Sequence, residues 1–107
     1  MTPRLAVWLA GERIGTLERT RPGKLRFAYR PEVVATTPPV LALLSHSLPV
    51  REGWFTPSAT LPFFDGLLPE GETRRLICRR LGIRGPAPVF ELLHAIGRDC
   101  AGAVVVV

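Results

Sequence analysis

Residues 5–29 are predicted to form antiparallel strands with a two-residue period, and no other feature constrains the fold as strongly. Leucine and valine alternate with alanine and tryptophan from Leu5 to Leu9, and the period returns in Ile14–Leu17 after a turn at Ala10–Arg13. Arg21–Lys24 is a second turn, because proline presets one central dihedral and glycine accepts a positive φ at the next. Apolar side chains alternate again over Leu25–Tyr29, which predicts a three-stranded antiparallel meander with one apolar face.

The segment from residue 30 to residue 50 shows no clear period. Thr36–Pro39 contains two consecutive prolines and is predicted to lie outside any helix. Leu41–Pro49 is predicted to form a further strand or an extended segment.

Two shorter helices and a terminal strand are expected in the second half of the chain. Ser58 is predicted to cap the first of these helices, with Pro62 restricted to its first turns. The other helix begins near Pro88 and ends before Gly97, and its apolar residues recur at helical spacing. The β-branched run Val104–Val107 is typical of a strand that is buried on both faces or completes the sheet.

A longer helix is predicted between these two. Pro69 suits its first turn, two glutamates lie near its positive end, arginines lie near its negative end, and Gly82 ends it. At 100° per residue, Arg75 and Arg79 lie on one side, toward solvent or a partner. The opposite, apolar face consists of Thr73, Leu76, Ile77 and Leu81.

Together these elements predict an α+β fold in a single domain over residues 1–107. Its small antiparallel sheet is a meander that could close into a barrel-like sheet, with two to three helices packed on it in the C-terminal half. A chain of 107 residues buries roughly 65% of the surface that its unfolded form exposes, which is enough for one core.

Composition narrows the possible partners and location. The net charge of +5 and the pI near 10.6 favour nucleic acid or an acidic partner. However, thirteen of the fourteen basic residues are arginine, a bias that a GC-rich genome also produces. No apolar run approaches the roughly 20 residues of a membrane span, and Leu5–Ala10 is too short for a signal-peptide core. A cytoplasmic protein without membrane contact is therefore expected.

The sequence contains no recognisable set of catalytic residues. His46 and His94 belong to different predicted elements, and neither has an orienting partner at a meaningful spacing. Cys78 and Cys100 lack the clustered ligands of a zinc site and are expected to be reduced thiols. No catalytic residue, cofactor or metal is predicted, and the chain is not expected to be an enzyme.

The loop that precedes Ser58 contains an unusual pair of aromatic residues. Trp54 and Phe55 follow Arg51 and Glu52 in a segment that also contains glycine and proline. Loops lie on the surface, so two alternatives are open. Either both rings fold back over the helices as part of the core, or they await a partner.

Four segments of the second half carry a family resemblance. Ser47–Pro49, Phe63–Gly71 (FFDGLLPEG), Phe90–Leu93 and Ile96–Val104 (IGRDCAGAV) occur in this order. They resemble the N-terminal subdomain of the HipA family of serine/threonine kinase toxins, and the three predicted strands agree with the opening of that subdomain. The resemblance covers about 100 residues and implies the same fold.

The resemblance also implies a partner. The chain is similar to the free-standing small subunit of split, three-gene HipBST systems, which implies an antitoxin that binds and inhibits a HipT-like kinase. A ternary complex with a HipB-like helix-turn-helix protein is a further implication, and no direct contact with nucleic acid is expected. Trp54 would then be the anchor of the kinase contact, next to Arg51, Glu52 and Phe55, and Arg75 and Arg79 are further candidate contacts.

Two other functional classes stay open. The high pI and the arginines of the longer helix would also suit a nucleic-acid-binding module, although no recognition helix or set of interleaved basic and aromatic residues is evident. A purely structural accessory role, as a detached regulatory part of a HipA-type kinase, is the remaining alternative.

Overall fold

An antiparallel sheet forms one layer of the molecule. The computed structural model describes residues 2–21, 23–38, 43–84, 88–99 and 103–107. Within these residues the strands are β1 (Arg4–Leu9), β2 (Glu12–Arg21), β3 (Lys24–Tyr29) and β4 (Val104–Val106), in the order β3-β2-β1-β4. The predicted meander is confirmed, and the terminal valine run completes the sheet beside β1. The sheet is open, so the barrel-like alternative is wrong.

Helices form the second layer, and the predicted α+β class is confirmed. Three of them lie in the C-terminal half, as predicted: α2 (Pro57–Asp65), α3 (Gly71–Leu81) and α4 (Val89–Ile96), the last followed by a 3₁₀ turn. The first helix, α1 (Pro31–Thr36), was not predicted. Among the described residues, every helix falls short of the length or the hydrophobicity that a membrane span requires.

The core lies between the inner face of the sheet and the helices α2 and α4. Phe27 on β3 is fully buried at its centre, with ring centroids 4.8 Å from Tyr29 and 5.6 Å from Phe64 of α2. Such edge and tilted pairs add about 0.5–1.5 kcal/mol beyond the burial of their area. Leu92 and Leu93 of α4 are also buried in this cluster. Val89 and Phe90 are buried as well, so the apolar residues of the predicted helix near Pro88 do face the core.

The hairpin between β1 and β2 depends on a tight two-residue turn. Ala10 and Gly11 both have positive φ, 50° and 84°, which matches the twist of the flanking strands. Further along, the register shifts between Val7 and Trp8, which pair with Gly15 and Arg13 and leave one extra residue on β2. This bulge keeps the apolar face of both strands on the core.

Two predictions for the middle of the chain were wrong. Thr36 is the last residue of α1. Pro31 is tolerated in the first turn, and Pro38 disfavours a helical conformation only from Thr37 onward, which is the extended C-cap. Pro39 lies outside the described residues. Residues 43–49 form no strand but a turn-rich segment. The Tyr29 hydroxyl donates a hydrogen bond to the Leu48 carbonyl and holds this segment on the core. Leu41 and Ala42 of the predicted strand, like Pro22 and Cys100, lie outside the described residues.

The start of α2 also differs from the prediction. Thr56, not Ser58, is the N-cap: its hydroxyl accepts a hydrogen bond from the Ala59 amide at 3.3 Å, and Pro57 takes the first helical position. Because proline already has helical φ and needs no donor there, the helix begins earlier than a Ser58 cap would allow. It continues past Pro62 to Asp65.

Candidate partner-binding surface

The aromatic pair of the loop is divided between core and surface. The Phe55 amide donates a hydrogen bond of 2.7 Å to the Phe27 carbonyl, which forms an isolated antiparallel bridge at the edge of β3. Phe55 is 3% exposed and Trp54 is 37% exposed. Successive side chains of an extended segment point to opposite faces, so the bridge that turns Phe55 inward also turns Trp54 outward. Phe55 therefore belongs to the core, as the first alternative held, whereas Trp54 is exposed and stays a candidate for partner contact.

Trp54 is supported by a charged row that crosses the outer face of the sheet. The Arg26 guanidinium lies 4.0 Å from the centroid of the Trp54 ring. Arg26 also donates from Nε to a Glu18 carboxylate oxygen at 2.8 Å, and Arg4 donates from Nε to the other oxygen at 2.7 Å. Arg4, Glu18 and Arg26 are direct neighbours in the register of β1, β2 and β3.

Glu18 is the centre of this row and is almost inaccessible to water. Its side chain is 1% exposed, whereas the Arg4 side chain above it is 63% exposed. Burial alone would raise the pKa of Glu18, but the hydrogen bonds from Arg26 and Arg4 outweigh it, and the pKa is lowered from its ordinary value. The carboxylate therefore stays charged and keeps Arg26 oriented beneath Trp54.

The remaining loop candidates lie near Trp54 and are exposed. The Arg51 guanidinium lies 4.0 Å from the centroid of the Phe55 ring, so it covers that ring on the solvent side. Glu52 and Gly53 line a depression of about 320 Å³ together with Tyr29 and residues of α1. Arg51, Glu52 and Trp54 are thus available to a partner, while Phe55 fixes the loop that presents them.

Arg75 and Arg79 lie on a different part of the molecule. Both are exposed side chains of α3 and line a groove with Cys78. Arg75 forms an ion pair with Glu72 one turn earlier. No residue of the Trp54 loop lines this groove, so the candidate contacts fall into two groups.

The predicted apolar face of α3 is not buried, which corrects the sequence analysis. Leu76 and Leu81 are 45% and 49% exposed, and no residue of this helix is buried. Of the predicted face only Ile77 is half-buried and packs against the core, and Arg74 and Cys78 lie with it on the side toward the molecule. Arg74 donates to the Asp65 carboxylate at 2.7 Å and to the Pro69 carbonyl at 2.7 Å. These polar anchors rotate the helix relative to the orientation that its leucines predicted.

The described residues contain no cluster of three or more histidine, cysteine or acidic side chains that could hold a metal ion. His46 and His94 are both exposed, and Cys78 is half-buried with a free thiol. Ser45 and Ser47 hydroxyls lie 2.9 Å apart beside His46, an arrangement that closes the local turn.

The comparison with protein families identifies the chain. The family model described as HipA N-terminal domain matches residues 5–107. The chain belongs to the HipA N-terminal domain family. The resemblance carried by the FFDGLLPEG and IGRDCAGAV segments is therefore confirmed.

Relatives of this HipA N-terminal domain are much longer proteins. "Putative kinase Y4mE" of Sinorhizobium fredii (strain NBRC 101917 / NGR234) is 41% identical over 105 residues, and "Putative kinase Y4dM" of the same strain is 36% identical over 106 residues. These matches cover 97% and 95% of the chain but 24% and 26% of the relatives. The chain thus spans about a quarter of the length of the curated relatives that it matches.

Sequence reasoning missed Glu18 and Arg26, the residues that hold Trp54. A signal for them was present, because both are charged residues on the face of β2 and β3 opposite to the apolar one. Their pairing with Arg4 follows only once the register of the meander is known. The contact between Arg26 and Trp54 depends in addition on the Phe55 bridge, which no local pattern indicates.

Proposed function

We propose that this HipA N-terminal domain is an antitoxin subunit that binds a HipT-like serine/threonine kinase in the bacterial cytoplasm and holds it inactive. In this proposal the chain acts as one domain over residues 1–107, is not itself an enzyme and has the role of HipS in HipBST systems. A HipB-like helix-turn-helix protein joins the complex through the kinase or directly. The observation that carries the proposal is the exposed Trp54 ring, which Arg26 and Glu18 hold in place.

Trp54 has the properties of an energetic anchor. Tryptophan is enriched at interface hot spots, where truncation costs about 2 kcal/mol or more. Arg26 fixes the ring before binding, and Glu18 fixes Arg26, so little conformational entropy is lost when a partner covers the ring. Arg51 and Glu52 beside it supply polar contacts of both signs at the rim.

The family supports a kinase as the partner. Relatives that contain a matching segment carry printed names of kinases and are about four times as long as this chain. We expect this domain to bind a HipT-like kinase through the surface that, in such relatives, faces the rest of their chain. Inhibition follows if the Trp54 surface contacts the part of the kinase that must move or bind nucleotide during phosphoryl transfer.

A nucleic-acid-binding or purely structural accessory role is the alternative. The net charge of +5 favours it, but the exposed aromatic ring is paired with a single arginine that already binds a carboxylate. Single-strand binders instead align several aromatic rings along a basic groove. The kinase partner is therefore the better explanation of this surface.

Co-expression with the HipT-like kinase of the same organism tests the proposal. The wild-type chain is expected to restore growth and to copurify with the kinase, and Trp54→Ala to lose both while keeping its circular dichroism spectrum and melting temperature. Trp54→Phe is the matched control, because it keeps an aromatic ring on Arg26 and is expected to retain most of the binding. A folded Trp54→Ala protein with unchanged kinase affinity would refute the anchor role.

A further inference from the structure

Helix α3 presents an apolar side chain that nothing in the described structure covers. Leu76 is 45% exposed in the middle of the helix, and the helix contributes no buried residue. Isolated exposed leucines are common on protein surfaces, so exposure alone would not indicate a binding site. The arginines and the groove around Leu76 are what indicate a binding site.

Positive charge is concentrated around Leu76. The segment from residue 71 to residue 84 contains five arginines and one glutamate, a net charge of +4 out of +5 for the whole chain. Arg79 and Arg80 follow Leu76 by three and four residues, so they lie beside it on the helix surface. Within the described residues neither forms an ion pair, whereas Arg74 and Arg75 are paired with Asp65 and Glu72.

A groove runs along the side of α3 next to this patch. It has a volume of about 450 Å³, and its apolar part is formed by Cys78, Ile83 and Pro88. Arg75 and Arg79 line it as well, and they separate it from Leu76 along the helix surface. A ligand that spans the groove and Leu76 therefore passes over arginine side chains.

We propose that α3 and this groove, here called the α3 surface, bind an acidic amphipathic segment of a partner protein. Apolar side chains of that segment would contact Leu76 and enter the groove, and its carboxylates would pair with Arg79 and Arg80. Arginine pairs well with carboxylates because its planar fork offers two parallel donors. A helix laid along a groove presents its side chains at the three- and four-residue spacing that this surface requires.

The combination of leucine and arginine favours protein over nucleic acid. A phosphate backbone would pair with the arginines, but it offers no apolar group to cover Leu76 and the floor of the groove. The described part of α3 also contains no aromatic side chain on which a base could stack. The proposal is independent of the kinase contact at Trp54, and it gives the chain a second binding surface.

Selection from a random peptide library tests the chemistry of the partner directly. The full chain is immobilised and challenged with displayed peptides of about 16 residues, which as a helix span about 24 Å. Counter-selection uses the Leu76→Ser/Arg79→Glu/Arg80→Glu variant. We expect enriched peptides to carry aspartate or glutamate together with leucine, isoleucine or phenylalanine at helical spacing. Failure to enrich any peptide over the variant, or enrichment of peptides without acidic residues, would overturn the proposal.

Binding of the most enriched peptide to single-surface variants then separates the contribution of the arginines from that of Leu76. By fluorescence anisotropy, Arg79→Glu/Arg80→Glu is expected to weaken binding at least about tenfold, and Leu76→Ser about fivefold. Arg21→Glu is the matched control, since Arg21 is exposed on β2 and lies beside Lys24 and Pro57 rather than in the α3 groove. It should change the affinity less than about twofold. An equal loss of affinity in Arg21→Glu would show that binding depends on non-specific charge. If a 20-base-pair DNA duplex binds more tightly than the peptide and its binding depends on Arg79, the surface is a nucleic-acid site instead.

These outcomes are distinct from those at Trp54. Trp54→Ala is expected to leave peptide binding at the α3 surface unchanged, and the α3 variants are expected to retain the fold. If kinase binding is lost only in Trp54→Ala, both surfaces act separately. If neither surface binds a protein, both proposals fail together.

Discussion

The guanidinium group of Arg26 stacks 4.0 Å from the centre of the Trp54 ring while it donates two hydrogen bonds to Glu18. An exposed aromatic residue is thereby connected to a carboxylate that water hardly reaches. Arg4 binds the same carboxylate from β1, whereas the cation–π contact with Trp54 is made by Arg26. This asymmetry makes it possible to test whether the row orients Trp54 or only stabilises the sheet.

Arg26→Gln is expected to weaken kinase binding about tenfold, while Arg4→Gln changes it less than about twofold. Each variant removes one ion pair from Glu18, but only Arg26 supports the ring, through a cation–π contact of about 0.5–1 kcal/mol and the ordering of a flexible loop side chain. Titration of the kinase by isothermal calorimetry measures both affinities. Similar losses in the two variants would show that the row contributes only general stability.

Glu18→Gln is expected to lower the free energy of unfolding by about 1–2 kcal/mol at neutral pH. The cost is smaller than the roughly 3–5 kcal/mol typical of a broken buried pair, because the Arg4 and Arg26 side chains can turn to water. Urea denaturation at pH 7 measures the change. Glu12→Gln on the same strand is an exposed control and should have almost no effect.

Glu18→Gln should also make the stability of the fold less sensitive to acid. The pKa of Glu18 is lowered in the folded protein from an ordinary value of 4.5, so its stabilisation is present above about pH 4.5. It is lost as the pH falls from there through the lower folded pKa, because the unfolded state binds the proton first. Denaturation midpoints measured from pH 6 to pH 3 should fall more steeply for the wild type than for Glu18→Gln. Parallel curves would contradict this role.

Tyr29→Phe is expected to destabilise the fold by about 1–2 kcal/mol. The hydroxyl donates to the buried Leu48 carbonyl, and removing it leaves that acceptor without its partner. Burial raises the pKa of Tyr29 from 10.0 to about 12, so the unfolded state releases the proton first. Stability should therefore fall above about pH 10 in the wild type and fall less in Tyr29→Phe. Thermal melts between pH 9 and pH 11 measure the difference.

Gly15→Ala is expected to cost about 2–3 kcal/mol or to prevent folding. A Cβ atom at this position would lie 2.6 Å from the Phe27 ring and 2.5 Å from the Ala28 carbonyl oxygen, and overpacking of a close-packed core is destabilising. Gly53→Ala is not a suitable control because its φ is 85°. Ala6→Ser, on the outer face of β1, is a better control. If Gly15→Ala melts at the wild-type temperature, the close packing at this position is contradicted.

Elements that rest on strong local periodicity could be predicted from the sequence. Strict alternation in Leu5–Leu9 and Leu25–Tyr29 produces the same buried face in any antiparallel pairing, so the meander followed directly. The apolar positions of α4 are dense enough to leave only one face for the core. The segments that carried the family resemblance also needed no structure, because their residue order is specific by itself.

Other features depended on contacts between distant segments. The orientation of α3 was predicted wrongly because few of its residues are apolar, and the Arg74 contacts with Asp65 and Pro69 decide which side faces the molecule. Likewise, the sequence placed Trp54 and Phe55 in one loop but could not say which ring is buried. One backbone bridge to β3 decides that, since it forces consecutive side chains to opposite faces, and only the folded chain brings residue 55 to residue 27.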